Sequence, residues 1–172
     1  MPVHLKQPIN LITEQEFHDL DFQVMRWAFD AHNRLGRFYD EKIYQNELLN
    51  MCRDNGLIAE TEVKIELTHK SFTKDLFIDL LLESSSIYEL KAATSIISDH
   101  RIQTLDYLFL SNTQHGKIIN FRPPSVEHEF VSTSLTFSDR QKFSICQQSW
   151  DDTSETAARL KEIATELFLN WG

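Results

Sequence analysis

Charge stands where apolar packing is expected in FIDLLLESSSIYELK, residues 77 to 91: Asp79 lies in one apolar run, Glu89 and Lys91 in the next. An ionised group buried without a partner costs several kcal/mol or more. If Glu83, Ser84 and Ser85 form a three-residue hairpin loop, Leu82 pairs with Ser86 and Asp79 falls opposite Glu89. Their Cβ atoms are then roughly 4.5 to 5.5 Å apart on one face, and Lys91 projects on that face too. A two-residue loop would throw the carboxylates onto opposite faces, because a one-residue slip inverts the pattern. Facing carboxylates repel, and each tends to hold a proton unless a cation sits between them. Mg²⁺ or Mn²⁺ suits such a site, since hard cations take oxygen ligands; the ion would lower the pKa of a bound water and stabilise charge on a phosphoryl oxygen. Lys91 would orient that water or neutralise developing negative charge. A salt-bridged strand pair without catalysis uses the same residue types.

A third acid is available. Tyr44, Leu48, Met51 and Cys52 recur at helical spacing, predicting a helix from Tyr39 or Asp40 to Asn55 that ends at Gly56. Glu41, three residues before Tyr44 and seven before Leu48, falls on that inward stripe. A first-turn glutamate favoured by the helix dipole is the plain alternative.

The elements that must position these groups are legible on either side. Thr13 and Glu16 have capping-box spacing, and Phe17, Leu20, Val24, Trp27, Ala31 and Leu35 continue a helix to Gly36, with His32 at the border of its apolar stripe. From Glu62 strict alternation puts Val63, Ile65 and Leu67 on one side of a half-exposed strand. THKSFTKD reads as a turn, residues 76 to 82 as a central strand and 86 to 91 as its partner. From Asp99 to Leu110, Ile102, Leu105, Leu108 and Phe109 mark a helix, followed by the buried strand KIINF, an α/β crossover ended by Pro123 and Pro124. EHEFVSTSLTF and KFSIC read as edge strands. A last helix starts near Asp152 or Thr153 and runs through Leu160, Ile163, Leu167 and Trp171. This C-terminal third shows no chemistry and is expected to give structural support or dimer contacts.

The totals bound the answer. At 172 residues, 41% apolar and 11% aromatic, the chain supports one domain with a sizeable core, and four glycines and four prolines do not fit disordered or fibrous classes. No apolar run approaches the ~18 residues that cross a bilayer, and the start lacks a basic then apolar leader, so a cytoplasmic protein without a membrane partner is expected. Cys52 and Cys146 have no metal-ligand spacing and read as reduced packing residues. A net charge of −9 argues against coating nucleic acid through a general positive field, so any such role must be local.

From about residue 22 to 125 the chain resembles the GxxExxY family, a branch of the PD-(D/E)XK nuclease-like superfamily. The matching stretches, in the family's order, are HNRLGRFYDEKIYQNEL, FIDLLLESSSIYELKA, HRIQTLDYL and GKIINF. The resemblance implies an α/β (α+β) fold: a central mixed sheet flanked by helices, residues 22–125 as the nuclease-like core and 126–172 as an extension packed on it, within one domain of residues 1–172. It puts Glu41, Asp79, Glu89 and Lys91 in the superfamily's acidic and lysine positions, the three acids as metal ligands. Gln103 stands in the position of its frequent glutamine, where it would contact the lysine, a water or a phosphate. His32, Tyr44, His100 and Tyr107 match further positions. The chain departs at Phe38, where the motif's first glycine stands, and at Phe77, where an arginine often precedes the aspartate.

Two functions follow as expectations. The first is a Mg²⁺- or Mn²⁺-dependent nuclease acting on DNA or RNA, with Arg34, Arg37, Lys42, Arg101 and Lys117 as candidate phosphate contacts. The second is a catalytically inactive module that uses the scaffold to bind protein, with Asp79, Glu89 and Lys91 in an internal ion-pair network. Small-molecule ester hydrolysis at the same metal is a third.

Overall fold

The computed structural model describes residues 3–146, 150 and 154–171. Its elements are β1 (Val3–Leu5), α1 (Glu14–Leu35), α2 (Glu41–Asp54), β2 (Ala59–His69), β3 (Phe72–Leu82), β4 (Ser86–Lys91), α3 (Ser98–Ser111), β5 (His115–Asn120), β6 (Glu127–Ser132), α4 (Phe137–Arg140) and α5 (Glu155–Trp171). The six strands form one sheet in sequence order. All neighbours are antiparallel except β4 and β5, which run parallel and are joined through α3. This is the expected mixed sheet flanked by helices.

Two cores lie on its two faces. Phe17, Val24, Trp27 and Ala28 of α1 and Tyr44, Leu48 and Cys52 of α2 pack on Leu80, Leu82, Tyr88, Leu90 and Ile119. On the other face Tyr107 and Leu108 of α3 meet Ile65, Ile78, Leu81, Ile87 and Ile118. The α1 capping box forms as its sequence requires: Thr13 Oγ1 accepts from the Glu16 amide at 3.2 Å, while the Glu16 carboxylate accepts from the Thr13 amide at 2.8 Å. The β3–β4 register is the one implied by a three-residue loop, Leu82 opposite Ser86, with Glu83 and Ser84 both left-handed at φ 52° and 49°. Gly116 lets α3 approach β5, since a Cβ there would lie 3.2 Å from Leu108 Cδ2 and 3.3 Å from the Ile87 carbonyl and Thr104 Cγ2.

Several expectations fail for physical reasons. Most of THKSFTKD is strand: β2 and β3 run on to a pair between His69 and Phe72, leaving the turn to Lys70, at φ 54°, and Ser71. KFSIC is no strand. After β6 a second capping box, Thr136 with Asp139, starts α4 and turns the chain away from the sheet, and Phe143 meets the Phe168 ring of α5 instead, centroids 5.5 Å apart. Ile102 is exposed, because the inward face of α3 carries Thr104, Tyr107, Leu108 and Ser111, about 200° round the helix from it. Cys52 is buried as expected but Cys146 is exposed. The expected start of the last helix, Asp152 or Thr153, lies outside the described residues.

Gly116→Ala is expected to cost about 1 to 3 kcal/mol, the range for forcing an extra methyl into a packed site. Chemical denaturation should show a lower midpoint at unchanged slope.

Candidate functional site

Two residues apart on one strand, Ile78 and Leu80 should share a face. They pack in opposite cores, as do Val63 on one side and Ala59 on the other within β2. The β2–β3 ribbon turns over between them, at Glu62 and Asp79, where the otherwise continuous pairing skips one position. Glu62 takes the left-handed conformation, φ 54°, which costs a residue with a Cβ about 1 to 2 kcal/mol. The N-terminal turns of α2 offset it: Glu62 Oε1 accepts from Lys42 Nζ at 2.7 Å and from Gln45 Nε2 at 3.2 Å, and Gln45 Nε2 also donates to the Asp79 carbonyl at 2.7 Å. The strict alternation expected from Glu62 onward therefore begins where the ribbon turns over.

On its other side Asp79 opens a gap. The β3–β4 pairing ends at Leu80 opposite Tyr88, and beyond it Asp79 Oδ2 accepts from the Leu90 amide at 2.8 Å. Glu89 and Lys91 project from β4 beside this gap. Lys91 Nζ donates to Glu89 Oε1 and lies 3.9 Å from both Asp79 Oδ2 and Glu41 Oε2. Glu41 is the first residue of α2 and half open to solvent, its side chain 42% exposed, whereas the Glu89 side chain has no exposure. The cluster is thus reached past Glu41. The four residues meet, three acids around one amine. Gln103 does not join them: its Nε2 donates at 2.7 Å to the hydroxyl of Tyr107, which stands near Glu89 and Asp79 on the α3 side.

The charges do not balance, and protons respond. Burial, reinforced by Asp79, pushes the Glu89 carboxyl up to about 8 despite Lys91. Burial also raises Asp79 and Glu41, with Lys91 and the Leu90 and Ala92 amides opposing. Lys91 is raised: burial lowers it, but Glu89, Asp79 and Glu41 outweigh that. Tyr107 is raised, first by burial and then by Glu89.

Whether these acids fit a cation is answered by one atom. Glu89 Oε2 is sealed from water with no hydrogen-bond donor, a lone-pair set that a proton shared with Asp79 or a metal ion would satisfy. The donor set is all oxygen, as hard divalent ions require. Among the described residues, however, no three acidic, cysteine or imidazole groups stand ready to hold an ion; the ammonium of Lys91 occupies the centre.

The remaining expected residues build the walls. Tyr44 stacks on Phe121 at 4.5 Å, donates to the Gly36 carbonyl at 2.7 Å and accepts from the Tyr39 amide at 3.3 Å, which fixes the loop leading into Glu41. His32 Nε2 meets the Pro123 carbonyl at 3.0 Å. His100 is held below the ordinary histidine range by burial and then by Lys91. Of the expected phosphate contacts, Arg34 pairs with Glu47, Lys42 with Glu62 and Arg101 with Glu129, and Lys117 is buried against Asp21 on the α1 face. Only Arg37 has no carboxylate partner among the described residues; its guanidinium covers the Phe38 ring at 4.9 Å. Two residues escaped the sequence reading. Gln45 carries an amide at an inward helical position beside Tyr44, a polar anomaly visible in the sequence. Arg122 follows directly on the KIINF strand and donates to the Ala92 carbonyl at 3.2 Å and the Tyr39 carbonyl at 3.4 Å.

The Glu89 shift has a sign that stability measurements can read. Its folded pKa, about 8, exceeds the ordinary 4.5. Its contribution is therefore fully present below about pH 4.5 and is lost as pH rises through 8. In EDTA, stability should decline between pH 5 and 8, and Glu89→Gln should flatten that decline in pH-dependent denaturation curves.

A family model described as the PD-(D/E)XK nuclease superfamily matches residues 18–132, from α1 to the end of β6. No curated protein matches the chain significantly. Among solved structures, one described as "Crystal structure of SSO0001" aligns over 95% of this chain and 78% of its own, at 17% identity and a TM-score of 0.44, and bears on neither site nor activity. With two thirds of its length matched by that family, the chain belongs to the PD-(D/E)XK nuclease superfamily.

Proposed function

We propose that the protein is a metal-dependent nuclease that hydrolyses phosphodiester bonds at the gap between β3 and β4. The observation that carries this reading is the convergence of Glu41, Asp79 and Glu89 on Lys91 Nζ, with one carboxylate oxygen of Glu89 left without a donor. Nucleases of the superfamily typically use divalent metals. We take the ion to be Mg²⁺ or Mn²⁺ and its ligands to be Asp79 and Glu89, with Glu41 completing the set.

When bound, the ion supplies an acidified water and a counter-charge for the phosphoryl oxygen. Lys91 would then turn from Glu89 to the attacking water or the phosphate, where its charge would stabilise the negative charge that develops. Asp79 stays anchored by the Leu90 amide, which fixes the direction of its carboxylate. Glu41, on the open side, meets solvent and substrate first. Gln103 acts at one remove, holding the Tyr107 hydroxyl beside the acids. Within the superfamily we assign the chain to the GxxExxY branch, on the four matching stretches around these residues. A reducing, cytoplasmic setting agrees with the two unpaired cysteines. Self-association through α5, where Leu160, Phe168 and Leu169 are exposed, belongs to the same proposal.

One observation favours the second reading, an inactive interaction module: Lys91 already fills the space among the acids. Thermal melting separates the two. Mg²⁺ or Mn²⁺ should raise the melting temperature of the wild type, by about 2.7 kcal/mol of stabilisation at 100 times the Kd, and should not raise that of Asp79→Ala. No response to either ion in the wild type would favour the module. Against linear, circular and single-stranded DNA and against RNA, cleavage should require the ion and be lost in Lys91→Ala while the far-ultraviolet circular dichroism is unchanged; cleavage surviving in that variant would contradict the role given to Lys91.

A further inference from the structure

Arg34, Lys42, Lys64, Lys70, Arg101, Lys142 and Arg159 are each neutralised in place by a carboxylate. Arg37 and Arg122 hold none among the described residues, and both lie at the same edge. Arg122 spans from the carbonyl of Ala92, next to Lys91, to that of Tyr39, two residues before Glu41. The Ala92 amide in turn reaches the Glu41 carboxylate. The segment Arg37–Phe38–Tyr39 is therefore tied to the open side of the acid cluster.

Along this segment Phe38 is 75% exposed and Tyr39 51%. Two large adjacent rings held in water are costly surface unless something covers them. Their backbone is not loose, because the Tyr44 hydroxyl bridges Gly36 and Tyr39. Arg37 lies over the Phe38 ring, so charge and ring form one surface. Rings stack on the faces of unpaired bases, which a duplex keeps hidden, and base stacking tolerates any sequence. Two such cations at this edge, on a chain of net charge −9, do not suffice to hold a duplex through its phosphates.

We infer that Arg37, Phe38, Tyr39 and Arg122 form a lip that binds an unpaired nucleic-acid strand, the bases stacking on the two rings and the phosphates meeting the two guanidinium groups, so that the strand passes Glu41 into the acid cluster. The inference rests on the nuclease reading for what happens next, but the binding it describes does not.

Fluorescence anisotropy with labelled oligo-dT and oligo-U strands and with a duplex of mixed sequence, in EDTA so that nothing is cut, tests it on the full chain. Single strands should bind at least about tenfold tighter than the duplex, and Phe38→Ala with Tyr39→Ala should weaken them by about tenfold or more, since stacking contributes that order per base. Arg37→Gln, at a position with no carboxylate partner, should reduce the slope of log affinity against log salt by about 0.7, the single-strand value for one phosphate contact. Equal affinity for duplex and single strand, or an unchanged affinity in the ring variant, would overturn the lip. Metal-dependent cleavage assayed on the same substrates separates the two ideas. Ring-dependent binding without cleavage upholds the lip and overturns the hydrolytic reading, whereas cleavage of duplex and single strand alike, undiminished in the ring variant, does the reverse.

Discussion

Three carboxylates around one ammonium, most of them out of water, is the interaction on which the rest of the structure turns. One positive charge cannot neutralise three negative ones, and burial magnifies the remainder. The molecule contains that remainder by leaving Glu41 half open, by giving Asp79 the Leu90 amide, and by letting Glu89 keep its proton to unusually high pH. Such an arrangement is poor as pure scaffolding, since apolar residues of similar size would be at least as stable. The proposed metal site would give those acids a partner stronger than an ammonium.

The surrounding fold exists to hold that imbalance in place. Asp79 can leave the β3–β4 ladder only because the β2–β3 ribbon turns over at its level, and the ribbon turns over because Glu62 accepts a left-handed backbone. Lys42 and Gln45 of α2 brace the turnover while the first residue of α2 supplies the third acid. On the opposite face, Gly116 lets α3 settle close to β5, which brings Tyr107 and Gln103 to the back of the cluster. Helix α2 on one face and helix α3 on the other thus clamp one gap in the sheet.

Much of this was legible in the sequence, and the rest was hidden for identifiable reasons. The pairing of Leu82 with Ser86 follows from loop length and alternation, which are local rules. The capping box at Thr13 is equally local. The turnover at Glu62 is not, because nothing in Glu62 itself favours a positive φ; the brace comes from Lys42 and Gln45 in a different element. The same holds for Lys117, whose apolar neighbours Ile118 and Ile119 announced a buried strand but not that Asp21, 96 residues earlier, would take its charge. Arg122 escaped notice because its partners, the Ala92 and Tyr39 carbonyls, are backbone atoms that no sequence pattern marks. Ile102 lies outward because the inward side of α3 is taken by Thr104, Tyr107, Leu108 and Ser111, while Leu108 and Leu105, at the same apolar spacing, do pack on the core.

The central claim is that Lys91 stands in for a metal ion and yields to one. Crystals grown with Mn²⁺ and measured at a wavelength where manganese scatters anomalously would test it directly. The account predicts an anomalous peak bonded to Asp79 and Glu89, with Lys91 Nζ displaced from the Glu89 carboxylate. Lys91 still bonded to Glu89 and no peak among the acids, in crystals holding Mn²⁺ in excess, would contradict it.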